Sequence, residues 1–272
     1  MKLTPDELNE NWNKLIDVVI ENFDGDRKNK IIVMYEHYKD RMMFAPASGT
    51  DYFHCAWPGG YVVHILNVIE CALKLTELWG EQGAFNKDYS KETIVFAAMF
   101  HDLGKGGNLE KDYYIPNDSE WHRINQGKMY VENKELYYMT PTDRAIWILN
   151  QFEVKMTEVE YLSLRLADGL YEEANTGYLK NYVESRQLKS NLPLIIHQAD
   201  MMATRLEKEQ YMFGESPNIN YPKILDPEVK KEEEEVVETI QEAVGLGKTE
   251  TTVDQVLQTK HKDLFDELFG DK

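Results

Sequence analysis

Apolar residues recur along most of the chain at three- and four-residue intervals, the period of an amphipathic helix. Leu8, Trp12, Leu15, Ile16, Val19, Ile20 and Phe23 form the first such stripe. Thr4 followed by Pro5 supplies its N-cap and first turn. After a turn at Asp24-Gly25-Asp26, residues 28–44 read as a second helix carrying Ile31, Ile32, Met34, Tyr35 and Tyr38. Residues 61–79 give a third. Ser90, with Thr93, caps a fourth that runs into the apolar stretch VFAAMF at 95–100. Residues 121–133 read as a helix. Thr140-Pro141 opens another, with Asp143 as the third residue of a capping box and Ile146, Trp147 and Leu149 facing inward. Thr157 and Glu160 open a helix over 157–175, TEVEYLSLRLADGLYEEAN. Residues 189–210 form the last long one, with Leu194, Ile195, Ile196, Ala199, Met202 and Leu206. There is no internal repeat and no strand pattern of useful length. The pattern predicts an all-α fold.

Punctuation between the helices divides the chain. Residues 45–60 read APASGTDYFHCAWPGG, and Pro46, Gly49, Pro58 and Gly59-Gly60 preclude a regular element there. His54 and Trp57 are unusual in a linker, so this loop either packs Trp57 into the core or covers a site. Residues 106–119 form a second loop. Beyond Tyr211, Pro217, Pro222 and Pro227 interrupt the chain, and 230–245 carries a run of glutamates with no apolar stripe. The organisation expected is N-terminal helices over 1–44 packing on a core of 45–214, followed by an acidic extension and tail over 215–272.

Charge and cysteine content narrow the function. The formal net charge is −18, and so acidic a surface repels long nucleic acid. No apolar run is long enough for a membrane span, and charges throughout 1–23 exclude a signal peptide. Two cysteines, Cys55 and Cys71, fit a reducing compartment, so the expected location is cytoplasmic. There is no CxxC, which argues against a thiolate zinc site.

The chemistry-bearing stretch is VFAAMFHDLGK at 95–105. Its apolar helix ends in His101-Asp102, two adjacent potential metal ligands, and Gly104 supplies a helix stop with Lys105 just past it. An unpaired carboxylate among alanines and phenylalanines would be costly. One ion can take both side chains only from the edge of the helix, with other helices bringing further ligands. The candidates on buried-looking helices are His64, His101, Asp102, His122, Asp168, His197 and Asp200. His197 and Asp200, three apart, share a face. Nitrogen and oxygen donors without thiolates suit Mn, Fe, Co, Ni, Zn or Mg. There is no H-x-x-x-H or E-x-x-H pair, so neither a zincin nor a ferritin-like bundle is indicated.

The order His64 … His101-Asp102 … Asp200 resembles the H…HD…D signature of the HD-domain metal-dependent phosphohydrolases. PGGYVVHILNV at 58–68 is similar to that family's Gly-Gly-x-x-x-His helix start, HDLGK matches its second motif, and IIHQADMMATRLE at 195–207 resembles its last. The nearest subgroup is the HD domains linked to 3′-to-5′ exoribonucleases and relaxases, whose first histidine follows a loop like YFHCAWPGG. The resemblance covers roughly residues 44–210. It implies an HD-domain helical bundle in which His64, His101, Asp102 and Asp200 hold the metal. It sets Lys105 facing the phosphate, and His122 near an additional histidine of two-metal members. Where those members carry a further histidine this chain has LRLADGL, with Asp168 the only ligand type, so one divalent ion is favoured over two. His197 is then a phosphate contact or a neighbour of the ligands rather than a ligand.

The implied activity is hydrolysis of a phosphate ester or phosphodiester, with Asp102, Lys105 and His122 as catalytic groups and Lys105, Trp57, Arg123 and His197 around the substrate. A small nucleotide fits the acidic surface. The alternatives are a 3′-to-5′ exonuclease on short single strands, with Tyr52, Phe53 and Trp57 stacking bases, and a non-catalytic HD module that binds a nucleotide or protein. At 263–272 the tail DLFDELFGDK resembles the acidic Leu-Phe peptides by which phage and bacterial replication proteins hold a sliding clamp, so a clamp is a candidate protein partner. The other reading is a terminal helix that docks back on the core.

Overall fold

The structure is a computed structural model, which describes residues 3–84 and 89–213. The chain divides into two units, Met1–Tyr221 and Pro222–Lys272. The acidic extension and the Leu-Phe tail lie outside the described residues.

The fold is all-α, as the apolar period predicts. A capping box opens α1 (Pro5–Asn22), in which Thr4 accepts from the Glu7 amide and the Glu7 carboxylate accepts from the Thr4 amide. This helix buries Leu8, Trp12, Leu15, Val18 and Val19. α2 (Gly25–Met42) turns inward Ile31, Met34, Tyr35, Tyr38 and Met42. Next come α3 (Gly60–Glu81) and α4 (Lys91–Phe100). Every residue of α4 from Ile94 to Phe100 is buried, the mark of a helix surrounded on all sides. α1, α3, α7 (Glu158–Arg165) and α9 (Leu192–Phe213) pack around it. Its Phe96 meets Phe23 edge-on at 6.2 Å, and its Phe100 stacks on Tyr35 at 6.0 Å. No helix among the described residues is long and apolar enough to cross a membrane.

Four details depart from the sequence reading. The helix expected over 121–133 is only α5 (Glu120–Gln126), because Gly127 takes φ +58° and ends it. The residues after it form β2 (Tyr130–Glu132), antiparallel to β1 (Tyr114–Pro116), with Ile115 opposite Val131. The helix expected over 157–175 stops at Arg165, and Gly169 at φ +54° sets a turn before the short α8 (Thr176–Leu179). α6 (Pro141–Gln151) faces inward through Thr142, Ala145, Ile148 and Leu149, leaving Ile146 and Trp147 half-buried. On α9 the inward face is Leu192, Ile195, Ile196, Ala199, Ala203 and Glu207, while Met202 and Leu206 are exposed. Larger apolar residues drew the predicted face toward solvent, and the true face uses alanines that let α3 approach closely.

One buried ion pair ties the bundle together. Arg27 of α2 lies over the Phe96 ring at 4.1 Å and reaches Glu92 at 2.7 Å and Glu160 at 2.8 Å. Glu160 is fully buried and also closes the capping box of α7. Removing one partner of such a pair strands the other charge. Replacing Arg27 with Met should therefore lower the unfolding free energy by about 3 kcal/mol. Urea unfolding checks this, and a loss below about 1 kcal/mol would mean the pair is a surface interaction in energetic terms.

Candidate metal centre

The site is assembled from helix ends that pack too closely for side chains. His101 is the C-cap of α4, still at helical backbone angles, and Asp102 leaves the helix at φ −108°. A 3-10 turn, Leu103–Gly106, follows. A Cβ on Gly104 would stand 1.9 Å from the Pro141 carbonyl oxygen, so only glycine lets this turn lie on the start of α6. α3 starts in the same way. Gly59 has φ +86°, and a Cβ on Gly60 would be 2.0 Å from the Cys55 carbonyl oxygen. The loop of 45–59 thereby crosses the helix one turn before His64. Asp200 comes from the middle of α9, where Thr204 Oγ1 donates to its backbone oxygen at 2.7 Å.

Four side chains from α3, the end of α4 and α9 converge. Asp102 Oδ2 is 3.6 Å from the Nε2 atoms of both His64 and His101. Asp200 Oδ1 is 3.2 Å from His64 Nε2 and 3.7 Å from His101 Nε2. Ligands held about 2.1 Å from one ion stand roughly 3–3.5 Å apart, so these spacings suit a common centre. Both Nε2 atoms are buried and have no hydrogen-bond partner. Their other nitrogens are occupied. His101 Nδ1 donates to the Ala98 carbonyl at 2.8 Å, and His64 Nδ1 lies 3.1 and 3.2 Å from the two Glu207 oxygens. Each ring thus turns Nε2 toward two carboxylates, an arrangement that a cation, proton or metal ion, resolves. The buried His and Asp groups can hold a metal ion, and the donor set fits the hard-to-borderline divalent metals.

The electrostatics are those of tightly opposed charges. Burial disfavours a charged His64, but Glu207 and Asp200 outweigh it and hold the pKa up at about 10. His101 is raised, again against burial, by Asp102 and Asp200. Burial likewise opposes an ionised Asp102, yet Lys105, His101 and His64 keep it below the ordinary carboxylate value. Burial also opposes the charge of Asp200, which the two histidines hold well below that value. Lys105 Nζ donates to Asp102 Oδ2 at 2.5 Å. Its pKa is raised despite burial, chiefly by Asp102.

The other expected residues fall into three places. Trp57 is buried and stacks on Tyr211 at 5.9 Å, so its ring belongs to the packing rather than to a substrate face. Its loop nonetheless reaches the site, because the His54 ring lies 4.6 Å from that of His64. His122 and Arg123 sit on α5 and serve their own hairpin: His122 Nδ1 pairs with Ser119 Oγ at 2.6 Å, and Arg123 donates to the Asn117 carbonyl. No hydrogen bond or ion pair among the described residues joins them to the cluster. His197 donates from Nδ1 to the Ala167 carbonyl at 2.7 Å, which places it beside the turn that carries Asp168.

Sequence reasoning missed Glu207 and Asn67, and it singled out His54 in the loop without placing it among the site residues. Glu207 accepts from Asn67 at 2.8 Å while it faces His64, so it fixes the ring whose Nε2 faces Asp102 and Asp200. The available signal was its place two helical turns after Asp200. His54 is half-buried, with both ring nitrogens shielded from solvent and neither hydrogen-bonded. Burial, then the charges of His64 and Lys105, lower its pKa to about 3, so it is neutral. No protein-family model matches the chain, and neither the curated proteins nor the solved structures compared with it give a match.

Two predictions follow from this geometry. Glu207→Gln should weaken metal binding about 10- to 100-fold while Asp102→Ala removes it, as read by competition with a chelator. Unchanged affinity in Glu207→Gln would show that the His64 ring is oriented without it. Protons compete with the metal for the His64 and His101 lone pairs. Because both pKa values are raised, affinity should climb as pH rises from 6 toward about 10, with proton release on binding. A pH-independent dissociation constant would place the metal elsewhere.

Proposed function

We propose that the chain is a metal-dependent phosphohydrolase that cleaves a phosphate ester or phosphodiester of a small nucleotide. The observation that carries this reading is the pair of unpartnered Nε2 atoms of His64 and His101 facing Asp102 and Asp200, with Lys105 alongside. The HD-like order of these residues in the sequence supports it. His64, His101, Asp102 and Asp200 would hold one divalent ion, Mn, Mg, Co, Ni, Fe or Zn, which when bound would supply Lewis acidity for a phosphoryl oxygen and lower the pKa of water.

The chain's own residues do the rest. His64, His101, Asp102 and Asp200 fix the centre, and Glu207 and Ala98 set the two rings so that Nε2 points inward. Lys105 stays charged and offsets negative charge that builds on the phosphoryl oxygens. Asp102 anchors Lys105 through Oδ2 and orients the attacking water. The acidic surface favours a small diffusible substrate over a long polymer.

The exonuclease reading keeps one specific support. Tyr52 and Phe53 are 61% and 60% exposed on the loop that reaches the site, where bases could stack. The sliding-clamp partner rests on the tail, outside the described residues.

The test is a phosphate- and nucleoside-release screen over nucleoside mono-, di- and triphosphates and cyclic nucleotides, beside a labelled oligonucleotide. The expected outcome is nucleotide hydrolysis that Asp102→Ala abolishes and Lys105→Met lowers about a hundredfold. Stepwise shortening of the oligonucleotide with no nucleotide hydrolysis would hand the function to the exonuclease reading. Metal binding with turnover of neither would leave a binding module.

A further inference from the structure

A strip of large apolar side chains lies in the open on α5 and on the loop that leads to His54. Tyr52, Phe53, Trp121 and Ile124 are between 58% and 72% exposed. Trp121 and Ile124 stand three residues apart on α5, so they are neighbours on one face. Gly127 ends that helix, and a Cβ on it would be 3.2 Å from the Tyr52 ring, so Tyr52 carries the strip from the helix end onto the loop. Phe53 comes next. The residue after it, His54, sets its ring 4.6 Å from that of His64, which joins the strip to the metal centre.

The backbone under these side chains is fixed. Thr50 and Lys128 form an antiparallel bridge, the Asp51 amide donates to Gly127 O at 2.9 Å, and the Tyr130 amide donates to Gly49 O at 3.0 Å. The Phe53 amide closes the turn on Thr50 O at 3.0 Å, and the buried Ser48 hydroxyl donates to His54 O at 2.7 Å. Rings on so fixed a backbone lose little freedom when a flat ligand stacks on them.

Shape and charge select the occupant. From Trp121 to Gly127 the helix alone extends about 9 Å, and the two loop rings add to it, so flat bases find more than one stacking partner in succession. The charged neighbours in sequence are of both signs, Asp51, Asp118 and Glu120 against Arg123 and Lys128. No excess of positive charge is there to draw a long phosphate backbone. That combination suits a ligand with several bases and few phosphates.

Resting on the phosphohydrolase reading, we propose that this strip is the base-binding platform of the site, and that the substrate is a di- or trinucleotide whose phosphodiester lies at the metal centre while flanking bases stack on Phe53, Tyr52 and Trp121. Cleavage consumes one water. Its oxygen bonds to phosphorus, the bond from phosphorus to a ribose oxygen breaks, and that oxygen leaves as a hydroxyl with a proton from the water.

The test compares the unmodified, metal-loaded chain with Phe53→Ala/Trp121→Ala on a trinucleotide and on the same sugar-phosphate chain without bases, with metal content measured on all samples. The double variant should raise KM for the trinucleotide about tenfold or more, leave kcat and metal content unchanged, and cleave the baseless chain as the unmodified protein does. An unchanged KM would overturn the platform, and so would equal losses on the two substrates. Trp121→Ala alone carries the same comparison should the double variant not fold. Raising salt from about 50 to 200 mM should weaken trinucleotide binding less than about tenfold, and a loss of a thousandfold would assign binding to phosphate contacts instead. If the unmodified protein cleaves neither substrate, the phosphohydrolase reading falls, and equilibrium dialysis with labelled trinucleotide decides the platform by itself: weaker binding by the variant upholds it and equal binding refutes it. A dimer of the unmodified protein that the double variant splits would make this face a contact between copies and overturn the proposal.

Discussion

The structure turns on one electrostatic constraint, the placing of a buried and a half-buried carboxylate, Asp102 and Asp200, against two buried imidazole nitrogens that have no hydrogen-bond partner. Such a cluster is tolerable only if charge is balanced across very short distances. Lys105 neutralises one side of Asp102, and Glu207 sits behind His64. The helix packing serves that balance. α4 is buried from Ile94 to Phe100 and delivers His101 and Asp102 to the interior, and this apolar length insulates them from water. α3 and α9, which pack closely on each other, bring His64 and Asp200 from either flank.

Much of the scaffold was legible in the sequence because helices announce themselves through caps and apolar period. Thr4, Ser90, Thr140 and Thr157 each accept from the amide three residues on, as their positions suggested. The His101-Asp102 pair was legible because polar residues at the end of so apolar a run demand a reason. His64 and Asp200 were not separable from ordinary helical residues by period alone, and resemblance singled them out.

What escaped was whatever depends on contact between distant segments. The β1–β2 pair has three residues per strand, too short for alternation to show, and its second strand was read as helix. The turn at Asp168 was hidden inside an apparent helical pattern that Gly169 breaks. Glu207 was overlooked because Met202 and Leu206 looked like the continuation of the core face after Ala199, while the real face continues through Ala203. Trp57 shows the reverse difficulty. A tryptophan beside a Pro-Gly-Gly turn is equally suited to packing and to recognition, and its stacking on Tyr211 settles which ring surface is occupied.

The separation of the converging residues along the chain also bears on how the protein folds. His64 and Asp200 lie on α3 and α9, and His101-Asp102 follow the end of α4, helices that meet only when the central bundle is assembled, so no local segment presents the complete site. An unfolded or half-folded chain has little to offer a cation beyond isolated histidines and carboxylates. Metal bound at the centre would therefore stabilise the docked state of α3, α4 and α9 as a unit. At a free metal concentration a thousand times the dissociation constant, that linkage amounts to about 4 kcal/mol. The same few side chains can then act as a clasp on the bundle, and metal supply becomes a determinant of how long the folded protein survives.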